Sequence, residues 1–243
     1  MNPNQPPRTR IRLRYSKTGR IRFTSHRDVA RIWERSLRRT GLPVAQTEGF
    51  SPRAKLHFGL ALATGYESDA EYLDVDFKGA DVAVDEVLKA LVSVLPCGIA
   101  ATGGTVLLPG EMSLQQAVTS CDWDIELIDV TADDVAGWVD RVRGATTIMI
   151  TRERKGQQIT DDLTPQIRAL EVGEPTNRGV RLLATLGTQP RAARPSELLT
   201  AFEPRYYPVL VRRTRQWIEQ DGARLDPLEV GAAPAQHTLV GVQ

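Results

Sequence analysis

Arg10–Phe23 reads RIRLRYSKTGRIRF, with arginine at 10, 12 and 14, again at 20 and 22, and a hydrophobe between most pairs. Alternation with a period of two is the mark of a half-buried strand. The break at Ser16–Gly19 makes the stretch either a hairpin or one long strand with a kinked excursion. If Ile11, Leu13, Tyr15, Ile21 and Phe23 pack inward, the pleat puts Arg10, Arg12, Arg14, Arg20 and Arg22 together on the other face. Lysine, threonine or glutamate would keep such a face wet equally well. Guanidinium differs in that it forks onto phosphates and stacks on bases.

The next stretch, SHRDVARIWERSLRRTGLP, changes period. Ser25 with Asp28 three residues on approximates a capping box. Val29, Ile32, Trp33, Ser36 and Leu37 share one helical face, and Gly41 and Pro43 end the helix. Strands follow at Pro43–Thr47, Leu56–Ala63 and Glu71–Phe77, a helix at Asp81–Leu95 and a strand at Gly98–Leu108. This order is the β-α-β-β-α-β of a ferredoxin-like split βαβ unit. It recurs in the second half as a strand at Trp123–Asp129, a helix at Ala132–Val142, strands at Thr146–Arg152, Ile167–Gly173 and Gly179–Leu186, a helix at Arg194–Phe202 and a last strand at Tyr207–Trp217. The expected fold is therefore α+β: tandem ferredoxin-like units with antiparallel sheets. Residues 10–115 form a basic unit and 120–228 an acidic one. Residues 1–9 and 229–243, rich in Pro, Ala and Gln, read as disordered.

A chain of 243 residues is long enough for two such cores. Its two cysteines, Cys97 and Cys121, form no CxxC pair, which suggests neither a disulfide framework nor a metal cluster and fits a reducing, cytoplasmic setting. Neither a membrane span nor the apolar core of a signal peptide is found. The formal net charge of +1 conceals a segregation. Residues 1–57 hold fourteen Lys and Arg against three acids, and the rest holds seventeen against twenty-seven. Such asymmetry points to a polyanionic partner for the basic part, or to the two parts docking on each other.

Three constellations are candidates for chemistry. The first is the arginine face, extended by Arg27, Arg31, Arg35, Arg38 and Arg39 of the helix. Arg27, Arg31 and Arg35 repeat every four residues, a like-charge stack that costs a few tenths of a kcal/mol per pair. The second is EGFSPRAKLHFG, Glu48–Gly59, where Ser51, Arg53 and Lys55 offer a phosphate clamp while Phe50 plugs the core. The third is the pair His26 and His57, suited to acid–base attack of a 2′-hydroxyl on phosphate, against the plainer reading of one capping and one packed histidine. Asp161–Asp162 reads as a solvated hairpin tip and Cys97 as buried. There is no Walker A loop, GxGxxG, HExxH or nucleophile elbow.

The basic block resembles the radical SAM-linked protein family, a bacterial domain of unknown function. The matching residues are Lys17, Gly19, Arg22, Phe23, Ser25, His26 and Asp28; then Arg35, Arg39, Leu42 and Pro43; then Gly49, Phe50, Pro52, Phe58, Leu62 and Gly65. Thr40 departs mildly from the usual run. The resemblance is specific over residues 10–77 and implies a domain fused to, or encoded beside, a radical SAM protein. This chain carries no CxxxCxxC motif, so it is not that enzyme. A more distant similarity to RAMP-type RNA-processing proteins supports RNA as the polyanion. The leading expectation is a non-catalytic RNA-binding accessory protein without a cofactor or metal, partnered by RNA and a radical SAM protein. Its phosphate contacts are Lys17, Arg20, Arg22, Arg27, Arg31, Arg35, Arg39, Ser51, Arg53 and Lys55. A metal-independent ribonuclease using His26 and His57 and a protein-docking adaptor with a basic face are the alternatives.

Overall fold

The computed structural model of the chain describes residues 8–79 and 82–232. Its first strand, β1 (Arg8–Lys17), carries the alternation expected of it, with Ile11, Leu13 and Tyr15 buried on one face. The second arm of the expected hairpin is not a strand. Gly19 adopts a φ of +67°, and Gly19–Phe23 winds into a 3-10 turn. Buried Lys17 causes this curl by donating through Nζ to the carbonyls of Arg22 (3.2 Å) and Thr24 (2.9 Å). Helix α1 (His26–Thr40) starts at Ser25, whose hydroxyl accepts the Asp28 N–H, and ends at Gly41 in the left-handed conformation, φ +72°.

After α1 come β2 (Leu56–Phe58), β3 (Glu67–Lys78), α2 (Val84–Val92) and β4 (Ile99–Leu107). All neighbours are antiparallel, β4 beside β1, β1 beside β3 and β3 beside β2, which is the ferredoxin-like strand order. A one-turn helix, α3 (Leu114–Ala117), leads to β5 (Ser120–Ile128) and α4 (Ala132–Gly144). A separate hairpin of β6 (Met149–Arg154) and β7 (Gln157–Asp162) follows; its turn is at Lys155–Gly156, so Asp161 and Asp162 lie on the strand and not at the tip. The unit closes with β8 (Ile167–Pro175), β9 (Gly179–Gly187), α5 (Pro195–Ala201), β10 (Leu210–Gln220) and β11 (Ala223–Leu225). Without the inserted hairpin its order, β10-β5-β9-β8, repeats that of the first unit.

The fold is thus α+β, mostly antiparallel, and the two sheets are one. β3 and β10 join them in a short parallel seam, Arg212 opposite Glu67 and Arg213 opposite Ser68. One core lies under α1 and α2, from Leu13, Tyr15, Trp33, Leu73, Phe77 and Leu91; the other lies under α4 and α5, from Trp123, Ile125, Trp138, Leu182 and Leu198. Residues expected to be disordered are partly built in. Arg8 and Thr9 belong to β1, and the Gly231 carbonyl accepts the Leu108 N–H at 2.8 Å. Residues 1–7 and 233–243 lie outside the described residues. Cys97, expected to be buried, is exposed, whereas Cys121 is buried in the second core, where desolvation pushes its thiol up to about 11.

The outward face of β1 is not free. Register sets Arg10 opposite Asp76 and Arg12 opposite Asp74, and each guanidinium grips its carboxylate with two hydrogen bonds. Arg12 is 1% exposed and also donates to the Pro227 carbonyl at 3.2 Å. Removing one partner leaves an uncompensated buried charge, so Asp74→Ala is expected to lower the unfolding free energy by about 3–5 kcal/mol. Pairing Asp74→Leu with Arg12→Met should recover most of that loss, as read from urea denaturation midpoints.

Candidate nucleic-acid interface

Helix α1 packs on the sheet through Val29, Trp33, Ser36 and Leu37. At 3.6 residues per turn, Arg27, Arg31, Arg35, Arg38 and Arg39 fall within an arc of about 120° on the far side and along about 18 Å of axis. All five are exposed. Arg31 bonds Asp28 at 2.8 Å, the only acid engaged by this row among the described residues. That contact and the Ser25 hydroxyl, the larger influence, hold the Asp28 carboxyl below its ordinary pKa. Arg27, Arg35, Arg38 and Arg39 form no ion pair among the described residues.

The sheet arginines behave differently. Arg10 and Arg12 are neutralised on β3, and Arg14 lies 3.5 Å from Asp226 and bonds the Thr102 hydroxyl. Each of these charges is matched by a carboxylate of the fold. Of the fourteen bases before residue 58, β3 neutralises Arg10, Arg12 and Arg22. Among the described residues, the ion pair between a base of the first half and an acid of the second is Arg14 with Asp226, while at the seam it is Arg212 and Arg213 of the second unit that meet Glu67 and Glu71 of the first.

At the end of β1, Lys17 is 3% exposed, burial lowers its pKa, and its ammonium is spent on the backbone carbonyls of the 3-10 turn. Arg20 is exposed and forms no ion pair among the described residues. Arg22 sits 3.4 Å from Glu67 and lies over the ring of Phe23, which is itself 62% exposed. The loop Glu48–Arg53 also departs from expectation. Phe50 does not plug the core; its side chain stands wholly in solvent. Ser51 and Arg53 are exposed and Lys55 half-buried, but the Arg53 N–H is taken by the Thr47 hydroxyl and the Lys55 N–H by the Ala45 carbonyl. These two amides are not available to an anion, so the clamp is left to the Ser51 hydroxyl and the Arg53 and Lys55 side chains. The loop reaches the end of α1, since Pro52 and Arg38 line one small cavity of about 150 Å³.

The histidines do not meet. His26 opens α1 and its ring meets Phe58 edge-on, centroids 5.2 Å apart, on the helix side of the sheet. His57 precedes Phe58 on β2, so the pleat turns it to the opposite face, with Nε2 3.7 Å from Asp76. An acid–base pair of His26 and His57 is excluded by this alternation.

The residues that decide which arginines stay free are Glu67, Asp74 and Asp76, none singled out from the sequence. Glu67 is the most connected. It accepts the Gly19 N–H at 2.8 Å, faces Arg22, and accepts from Arg212 at 2.7 Å. Burial alone would raise its carboxyl, but the bonds from Arg212, Gly19 and Arg22 prevail and hold it below the ordinary 4.5. A carboxyl depressed on folding contributes stability above its unfolded value, lost as pH falls through the folded one. The urea midpoint should therefore drop as pH falls below about 4.5, and less steeply in Glu67→Gln.

Comparison with curated proteins finds no match. Among solved structures twenty-one chains match. One, from a structure titled "Crystal Structure of a Cbf5-Nop10-Gar1 Complex", is 14% identical with a TM-score of 0.44 over 85% of this chain and 48% of that chain. The present chain thus spans about half of that protein's length. A family model matches residues 10–195, which takes in the turn, α1 and the loop, and the chain belongs to that family, described as uncharacterized protein conserved in bacteria (DUF2344).

Proposed function

We propose that the chain is a non-catalytic accessory protein that binds single-stranded RNA along the outer face of α1, between the Gly19–Phe23 turn and the Glu48–Arg53 loop. The observation that carries this reading is the row of five α1 arginines, of which only Arg31 has an acidic partner among the described residues, flanked by two aromatic rings, Phe23 and Phe50, that the fold leaves in solvent. Guanidinium and exposed aromatic rings are the two groups by which proteins hold single strands, one on phosphates and the other on bases. Arg27, Arg31 and Arg35 repel one another along the helix, and a bound strand relieves that repulsion. Arg20 of the turn extends the row past the start of the helix. A radical SAM protein as the partner follows from the sequence resemblance.

Fluorescence anisotropy with labelled single-stranded RNA across a salt series tests this. Log affinity should fall linearly with log salt. Substituting Arg27, Arg35 and Arg38 together by glutamine should reduce that slope by about two and weaken binding at least tenfold. Phe50→Ala should cost about 1–3 kcal/mol of affinity and leave the slope unchanged. Arg35→Gln alone should leave the unfolding free energy unchanged or raise it by a few tenths of a kcal/mol. Binding that ignores the triple substitution, or a preference for acidic polypeptide over RNA, would refute the reading.

A further inference from the structure

Between the two helical layers, above the seam, lies a cavity of about 370 Å³ that takes no part in the arginine row. Its walls come from the loop before β3, from β5 and β10, from β6 of the inserted hairpin, and from the segment Thr188–Glu197. Tyr66 and Trp123 supply the aromatic surface, edge to face with centroids 6.0 Å apart. Arg213, 1% exposed, lies over the Trp123 ring at 5.5 Å.

The wall is rich in hydrogen-bond donors that have no acceptor among the described residues. The Trp123 indole N–H is buried with no acceptor among the described residues. Arg152 spends only its Nε, on Asp161, and Arg191 bonds the same carboxylate. Arg191 also donates through Nη1 to Glu197 at 2.9 Å, so its Nη2 has no acceptor among the described residues. Arg194 is exposed at the rim and forms no ion pair among the described residues. Of the two acids in the wall, Glu197 is already occupied by Arg191 and the Arg194 N–H, and Glu153 alone opposes an anion.

A half-closed cavity of this size, with aromatic walls, a buried orphan donor and forked guanidiniums at one side, fits a flat, acceptor-rich ligand carrying a compact anion. We infer that it is a binding site for one nucleoside monophosphate, the base against Tyr66 and Trp123 and the phosphate on Arg191 and Arg194. The same chemistry arises from a free nucleotide or from one residue of a strand. A route for the latter exists, because the Gly65 N–H bonds the Arg22 carbonyl at 2.8 Å, which ties the turn bearing Phe23 to the loop bearing Tyr66.

Isothermal titration with AMP, UMP, adenosine and inorganic phosphate tests the inference on the full chain. Either nucleotide should bind at least about tenfold more tightly than adenosine or phosphate alone. Arg194→Ala should weaken AMP about tenfold, and Trp123→Phe, which keeps the ring and removes the N–H, severalfold. Glu153→Gln should tighten it. Near-ultraviolet circular dichroism establishes that each variant is folded. Displacement of AMP by a single-stranded RNA hexamer assigns the site to a strand residue, and simultaneous binding assigns it to a free nucleotide; both sustain the inference. Absence of AMP binding up to about 10 mM, equal binding of phosphate alone, or indifference to both Arg194→Ala and Trp123→Phe overturns it. These results are separable from the RNA reading, which depends on α1 and is unaffected by Arg194→Ala if only the cavity inference is wrong.

Discussion

The guanidinium of Arg213 has lost its water, and Glu71, the Leu60 carbonyl and the Trp123 ring beneath it make that burial tolerable. The parallel ladder that joins the two units is only two register pairs long, too little to hold them by backbone bonds alone. Side chains do the rest. Glu71 anchors Arg213, Glu67 anchors Arg212, the Ser68 hydroxyl donates to the Arg213 carbonyl, and Gln216 donates to the Ala70 carbonyl. The seam therefore depends on charge matching in a dry place, where a missing partner is costly. Its consequences spread outward from the same residues. Glu67 also receives the Gly19 N–H at the start of the 3-10 turn, and Arg213 forms one wall of the cavity between the helical layers.

How much of this the sequence discloses follows from the range of the forces involved. Element order and the two ferredoxin-like units rest on short-range periodicity, and β1, α1, β3 and the second unit follow it closely. The Gly19–Phe23 stretch defeats the same reasoning because five residues of alternation do not distinguish a strand from a 3-10 turn. The deciding contact is Lys17 Nζ on two carbonyls further along. Phe50 fails for a related reason: an aromatic in a Gly-Ser-Pro loop is read as core by composition, and nothing local says that the loop stands off the sheet. The Arg10–Asp76 and Arg12–Asp74 pairs were within reach, since EYLDVDF carries Asp74 and Asp76 on one phase, with Glu71 on the other, and β1 its arginines on one phase. What was missing was the register between strands more than sixty residues apart.

That register also changes the meaning of the charge count. Arginines on a strand stand opposite whatever the neighbouring strand presents at the same height, and here β3 presents carboxylates. Arginines on α1 have no such neighbour, because the helix meets the sheet with its apolar side and turns the rest to solvent. Two rows with the same composition thus have different chemistry. One is locked into the sheet, and exchanging its partners for an incoming phosphate would leave Asp74 and Asp76 buried and unpaired. The other retains full charge at the surface, and an incoming phosphate there displaces only water and counterions. The free-energy difference between those exchanges, rather than the number of arginines in RIRLRYSKTGRIRF, is what moves the candidate interface from the strand to the helix.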